Sequence, residues 1–168
     1  MSIKITGIAI IVIASSLAGM GASQSLSQRV KILGQVISML RGFYSQIRYR
    51  AMTVGELLDN AASDIACRDL SFPKIILKRL ETADSLAEAW EYGVNSDKAL
   101  KAEEKRVLEA LGYSLGSSDI EGQLALLDEY TEKISSIKAS AEAEYLKKGR
   151  LYRSLGVLGG AMAGIILL

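Results

Sequence analysis

LSQRVKILGQVISMLRGFYSQI, residues 26–47, decides the fold. Its apolar residues Leu26, Val30, Leu33, Ile37, Leu40, Tyr44 and Ile47 are spaced 4, 3, 4, 3, 4, 3. That is a coiled-coil-like stripe of period 3.5 held over three heptads, which only an α-helix can place on one face. No proline or turn cluster separates the stripe from the apolar run before it, so one helix is expected from there to about Arg50.

Downstream, the start signals are helical as well. Thr53-x-x-Glu56 is a capping box and predicts a helix over about 54–67. Pro73 suits a first helical position. TADSLAEAWEYGV (82–94) reads as a helix with Leu86, Ala89, Trp90 and Val94 inward, and another is expected over about 98–115, ending near Gly116. Ser118-x-x-Glu121 forms a second capping box. After it Ile120, Leu124, Leu127, Tyr130, Ile134, Ile137, Ala141 and Tyr145 keep a mean spacing near 3.6. No strand-like alternation competes. The expected class is all-α, a bundle built on two long antiparallel helices that continue into the terminal segments.

The charge distribution divides the chain. All nineteen acids lie in 25–150, and of twenty basic residues only Lys4 and Arg153 lie outside it. Residues 5–22, ITGIAIIVIASSLAGMGA, approach the ~20 apolar residues that cross a ~30 Å hydrocarbon layer. A cleaved signal peptide is the alternative, with Lys4 as its basic start and Gly19-Met20-Gly21-Ala22 as its cleavage region. The run exceeds a usual ~7–15-residue signal core, and the helical periodicity continues past Ala22. The C-terminal SLGVLGGAMAGIILL is shorter, and Arg153 can extend it by snorkelling. A buried core helix is its alternative, although a run with no polar side suits that role poorly. The expected organisation is a transmembrane helix in 1–24, a cytoplasmic helical domain in 25–150 and a transmembrane helix in 151–168. The basic flanks Arg29, Lys31 and Arg41, with Lys147, Lys148, Arg150 and Arg153, place that domain on the cytoplasmic side.

Small residues recur at one-turn spacing in both ends: Gly156, Gly160 and Gly164 in the second, Ala14, Ala18 and Ala22 in the first. In lipid such faces let helix backbones approach closely, so these are the candidate span-packing residues. Arg48-Tyr49-Arg50, where the first helix is expected to end, is a candidate docking patch carried by Arg48 and Arg50. A solvated helix end is the plainer reading. The basic run of residues 29–50 also faces the acidic start of the last helix in an antiparallel pairing, through Asp119, Glu121, Asp128, Glu129 and Glu132.

Nothing points to catalysis. Histidine is absent, which removes the commonest neutral-pH base and metal ligand. Cys67, the single cysteine, has no internal disulfide partner and no histidine to activate it. Adjacent acids such as Glu103-Glu104 and Asp128-Glu129 point in different directions from a helix and suit a solvated face. There is no phosphate-binding glycine loop, and the near-neutral middle segment does not suit nucleic acid. No catalytic residue, cofactor or metal is expected.

The segments LRGFYSQIRYRAMTVGELLDNAA (40–62), AWEYGV (89–94), LGYSLGSSDIEGQ (111–123) and LYRSLGVLGG (151–160) together resemble the stage III sporulation protein AB family of endospore-forming bacteria. The resemblance covers nearly the whole chain. Gln46 and Val54 stand where the family pattern has Glu and Pro, so no role of that Glu or Pro carries over. The resemblance implies a non-enzymatic membrane platform subunit of the secretion-like channel between mother cell and forespore, similar to the helical platform domains of type II secretion machines. It implies a cytoplasmic secretion-type ATPase, stage III sporulation protein AA, as partner, beside other channel membrane subunits, the lipid bilayer and a homo-oligomer. The implied location is the outer forespore membrane, with the soluble domain in the mother-cell cytoplasm. The alternative is a membrane-anchored helical scaffold or sensor with no secretion machine attached.

Overall fold

The structure, a computed structural model, describes residues 2–166; the side chains of most of 2–19 and 150–166 lie outside the description. Among the described residues there are six α-helices, one 3-10 turn and no strand. The helices are α1 (Ser2–Arg50), α2 (Val54–Ser63), α3 (Phe72–Leu80), α4 (Leu86–Ser96), α5 (Ala102–Ser114) and α6 (Ile120–Ile166). The all-α class read from the periodicity is the observed one. Among the described residues no helix is long and apolar enough to cross a membrane. The expected spans 1–24 and 151–168 fall largely on residues whose side chains are not described.

The chain forms two compact units. The first is Met1–Val30 with Ala139–Leu168. Here Ser23 is fully buried, and a methyl added at Gly149 would stand 3.3 Å from its hydroxyl. Further along, Arg29 pairs with Glu144 at 3.7 Å. Leu26 and Val30, the start of the heptad stripe, are only half-buried.

The second unit, Lys31–Lys138, holds the main core. From α1 it takes the expected Leu33, Ile37, Leu40 and Ile47, and also Ile32, Val36, Met39 and Phe43. The second set flanks the heptad seam and widens the buried face, as a helix covered on two sides requires. Leu57, Leu58, Ile76, Trp90, Leu108, Leu111, Leu127 and Ile134 complete it, each fully buried. Burial of such a side chain contributes about 1.5–3 kcal/mol.

The Thr53–Glu56 capping box is present, with the Thr53 amide donating to Glu56 Oε2 at 2.8 Å and the Glu56 amide to Thr53 Oγ1 at 3.4 Å. Those bonds hold the Glu56 carboxyl below its ordinary range. The helix it opens is shorter than the expected 54–67. It stops at Ser63, because Asp64 turns extended and caps a separate 3-10 turn, Ile65–Cys67, by accepting from the Ala66 amide at 2.8 Å. Gln35 clasps the following loop from both sides: its amide donates to Asp69 Oδ2 at 2.8 Å, and its carbonyl accepts from the Asp69 amide at 3.1 Å. Lys31 reaches the same carboxylate at 2.6 Å and holds its pKa below the usual carboxylate value. Cys67 is buried in this corner, and its thiol is pushed up to about 11.

Three further boundaries differ from expectation. The segment 82–85 is not helical: Ser85 is an extended N-cap whose hydroxyl accepts from the Glu88 amide at 3.2 Å, so α4 begins at Leu86. Leu86 itself is only half-buried, whereas Ala89, Trp90 and Val94 are fully buried. α5 begins at Ala102 rather than 98, because Lys101 is extended and its amide donates to the Glu104 carboxylate at 2.9 Å. At α6 the cap is Asp119 rather than Ser118: its carboxylate accepts from the Gly122 amide at 2.9 Å, and a negative charge suits a helix N-terminus better than a hydroxyl. Ile120, expected inward, is 45 % exposed.

Pro73 sits in the first turn of α3 as expected, but the preceding Ser71 makes no side-chain cap. The carboxylate that satisfies this end comes from Asp97, after α4. Its Oδ2 accepts from the amides of Ser71 (2.8 Å) and Phe72 (2.9 Å), while Oδ1 accepts from Ala99 (2.8 Å). Asp97 is 1 % exposed. Close approaches complete the α3–α4–α5 corner. The Trp90 indole donates to the Leu108 carbonyl at 2.7 Å and packs over Gly112, and Gly93 lies against Ile76 and the Phe72 carbonyl.

Candidate docking surface

The last turn of α1 carries the candidate patch. Tyr44 and Arg48 are one helical turn apart, so their side chains share a face. Arg48 Nη1 donates to the Tyr44 hydroxyl at 2.9 Å, and the guanidinium lies 5.9 Å from the Tyr44 ring centre and 6.0 Å from that of Tyr49. The hydrogen bond to Tyr44 is the main cause of a raised Arg48 pKa, and the charge of Glu121 on α6 adds to it. Arg48 and Arg50 are both exposed, and neither forms an ion pair among the described residues. Of the expected facing of basic and acidic helix ends only this small contribution of Glu121 is seen: Asp128 and Glu132 are exposed with no ion pair among the described residues, and Glu129 pairs with Lys133 on its own helix. Two arginines in the last turn also suit the negative end of the helix dipole.

Tyr49 was not singled out by charge, yet it is 78 % exposed between the two arginines. Tyrosine and arginine are the residue types that most often anchor protein interfaces, because each combines apolar area with hydrogen-bonding capacity. The turn thus presents a large exposed aromatic beside two exposed cations, neither in an ion pair among the described residues. Its only advance signal is position: Tyr49 falls outside the apolar stripe.

Ala51 ends α1 in the left-handed region, with φ 48°, its amide donating to Ile47 O at 3.0 Å. That position ordinarily belongs to glycine, since a β-carbon there crowds the backbone. Ala51→Gly is therefore expected to raise stability by about 0.5–1 kcal/mol while leaving Arg48 and Arg50 in place. A thermal melt by circular dichroism checks it; a lower midpoint would show that the turn is not strained.

Of the span-packing candidates, Gly156, Gly160, Gly164 and Ala18 lie outside the described side chains, whereas Ala14 and Ala22 are exposed. Among the described residues no group of three or more metal-binding side chains comes together.

A family model described as stage III sporulation protein AB matches residues 4–168. No curated protein and no solved structure gives a significant match to the chain.

Proposed function

The chain belongs to the stage III sporulation protein AB family, and from that premise we propose that it is a non-enzymatic membrane platform of a secretion-like channel needed for endospore formation. In this reading α1 and α6 form an antiparallel pair that carries the helical domain from two terminal spans. Within the first unit, Ser23 lies by Gly149 and Arg29 by Glu144; within the second, Gly34 lies by Lys138, and Arg48 feels Glu121. In each case the residue numbers rise on one helix as they fall on the other, which supports the antiparallel arrangement. The uncharged ends support the spans. The basic flanks support a cytoplasmic domain; that this cytoplasm is the mother cell's, with the spans in the outer forespore membrane, is what the family resemblance implies.

The observation that carries the docking reading is the exposed Arg48-Tyr49-Arg50 turn, unpaired and aromatic, at the end of α1 away from the apolar run. The proposed partner is the cytoplasmic secretion-type ATPase, stage III sporulation protein AA, meeting this turn with an acidic surface. The platform organises and transmits; the partner hydrolyses. Arg48→Glu with Arg50→Glu is expected to weaken ATPase binding at least about tenfold, because charge reversal adds repulsion to the lost contact. Helicity should stay that of the parent, and the melting midpoint should fall only slightly, by what reversing two exposed charges at the helix end costs. If the arginines serve only the helix end and the field of Glu121, the double variant shows that fall and binds as before.

The topology is testable separately. In intact vegetative cells expressing the chain, a cysteine replacing Ser2 should react with an impermeant thiol reagent and one replacing Asn95 should not. Cys67 is buried with a raised pKa and stays silent. Labelling at Asn95 alone would invert the orientation.

A further inference from the structure

The second unit carries two unsatisfied charged surfaces of opposite sign. On α3, Lys74 and Lys78 are exposed, one helical turn apart, and neither is ion-paired among the described residues. With Ile75, Arg79 and Tyr92 they line an open groove of about 490 Å³, whose lining also includes Glu81. Arg79 does not add to the net charge, since Glu88 holds its Nη2 at 2.9 Å. Its guanidinium covers the Tyr92 ring at 5.1 Å, and its buried Nε has no hydrogen-bond partner. Tyr92 remains 53 % exposed, so the groove offers an aromatic wall beside two available ammonium groups.

On α6, Glu121, Asp128 and Glu132 are exposed along one face, with the small, exposed Ala125 between them. None of the three acids is ion-paired among the described residues, whereas neighbouring Glu129 is occupied by Lys133 at 2.6 Å. Asp128 and Glu132 are also one turn apart. On a helix that spacing sets side chains about 5–6 Å from each other. The two cations and the two anions therefore share one repeat, and two helices laid side by side can pair both at once.

We propose that the groove between α3 and α4 takes α6 of a second copy of this chain, with Asp128 and Glu132 set against Lys74 and Lys78. Ala125 presents no bulk to Tyr92 and lets the helix approach the aromatic wall. The two surfaces are different patches of one molecule, so the contact is head-to-tail, the kind that closes into a ring or runs on as a filament. Exposed ion pairs contribute little each, so the association is weak, depends on the Tyr92 wall and falls with salt. It is independent of the ATPase-docking turn, which uses other residues.

The test is sedimentation velocity of the full-length chain in detergent micelles, at low and high salt. The parent should associate with rising concentration and less so at high salt. Lys74→Glu with Lys78→Glu should weaken association about tenfold or more. Adding Asp128→Lys and Glu132→Lys to that variant should restore it, because the swapped charges pair again. Circular dichroism melts establish that each variant is folded; Tyr92→Ala, which carries no charge change, should also weaken association. A parent that stays monomeric at every concentration overturns the proposal. So does a fourfold variant no better associated than the double one, or a double variant that associates normally yet loses ATPase binding, since the groove would then serve another partner.

Discussion

Gly112→Ala is expected to lower the melting midpoint of the chain, although alanine is intrinsically the better helix former. Within α5 the propensity gain is about 1 kcal/mol. Against it stands the Trp90 indole: a methyl at Gly112 would overlap the ring and come within 2.6 Å of Nε1. The ring has nowhere to retreat. Trp90 is fully buried, its Nε1 is tied to the Leu108 carbonyl, and Phe72 packs against it with ring centres 6.4 Å apart. Overpacking of this kind costs about 1–3 kcal/mol or more, so the net sign is destabilising, with a fall of several degrees. In a Trp90→Leu background the same substitution should be neutral or stabilising, because the clash is gone. That reversal is a coupling a double-mutant cycle reads directly. Equal losses in both backgrounds would show that Gly112 is kept for some other reason.

Asp97→Ala is expected to cost about 3 kcal/mol, more than any surface charge in the domain. It removes three hydrogen bonds at once and leaves the buried Phe72 amide, and its neighbour at Ser71, without an acceptor. The carboxylate also faces the positive end of α3, which a neutral side chain does not compensate. Asp97→Asn should recover part of the loss, since one oxygen still accepts while the amide group opposes the other donors. Thermal melts of parent, Asn and Ala variants should fall in that order. If Asn melts as low as Ala, the charge dominates; if Ala equals the parent, the α3 end finds another acceptor.

These two residues mark where local sequence stops being informative. The period of 3.5 in residues 26–47, the Thr53–Glu56 box, Pro73 and the buried face of Trp90 and Val94 are all written within a few residues of where they act, and they were legible. Asp97 caps a helix that begins 25 residues earlier, and Gly112 is small because of a ring 22 positions away. Neither relation has a local pattern. The same limit explains α1: a heptad reading selects one seam, while Ile32, Val36, Met39 and Phe43 are buried as well, a second side that only tertiary contacts reveal. Competition between neighbouring caps explains the boundary shifts, since Asp64, Ser85 and Asp119 each offer an acceptor one to three residues from the expected edge. At the candidate surface, Arg48 and Arg50 were visible as charges. The exposure of Tyr49 was legible only from its place outside the apolar stripe, because an aromatic residue type by itself suits core or solvent equally.

The proposed platform role is tested most directly by co-purification. The full-length chain, tagged and extracted in mild detergent from sporulating cells, should bring down a cytoplasmic secretion-type ATPase, and the Arg48→Glu, Arg50→Glu variant should bring down markedly less at equal chain recovery. An ATPase absent from the parent sample, or recovered equally with parent and variant, would contradict docking at the end of α1.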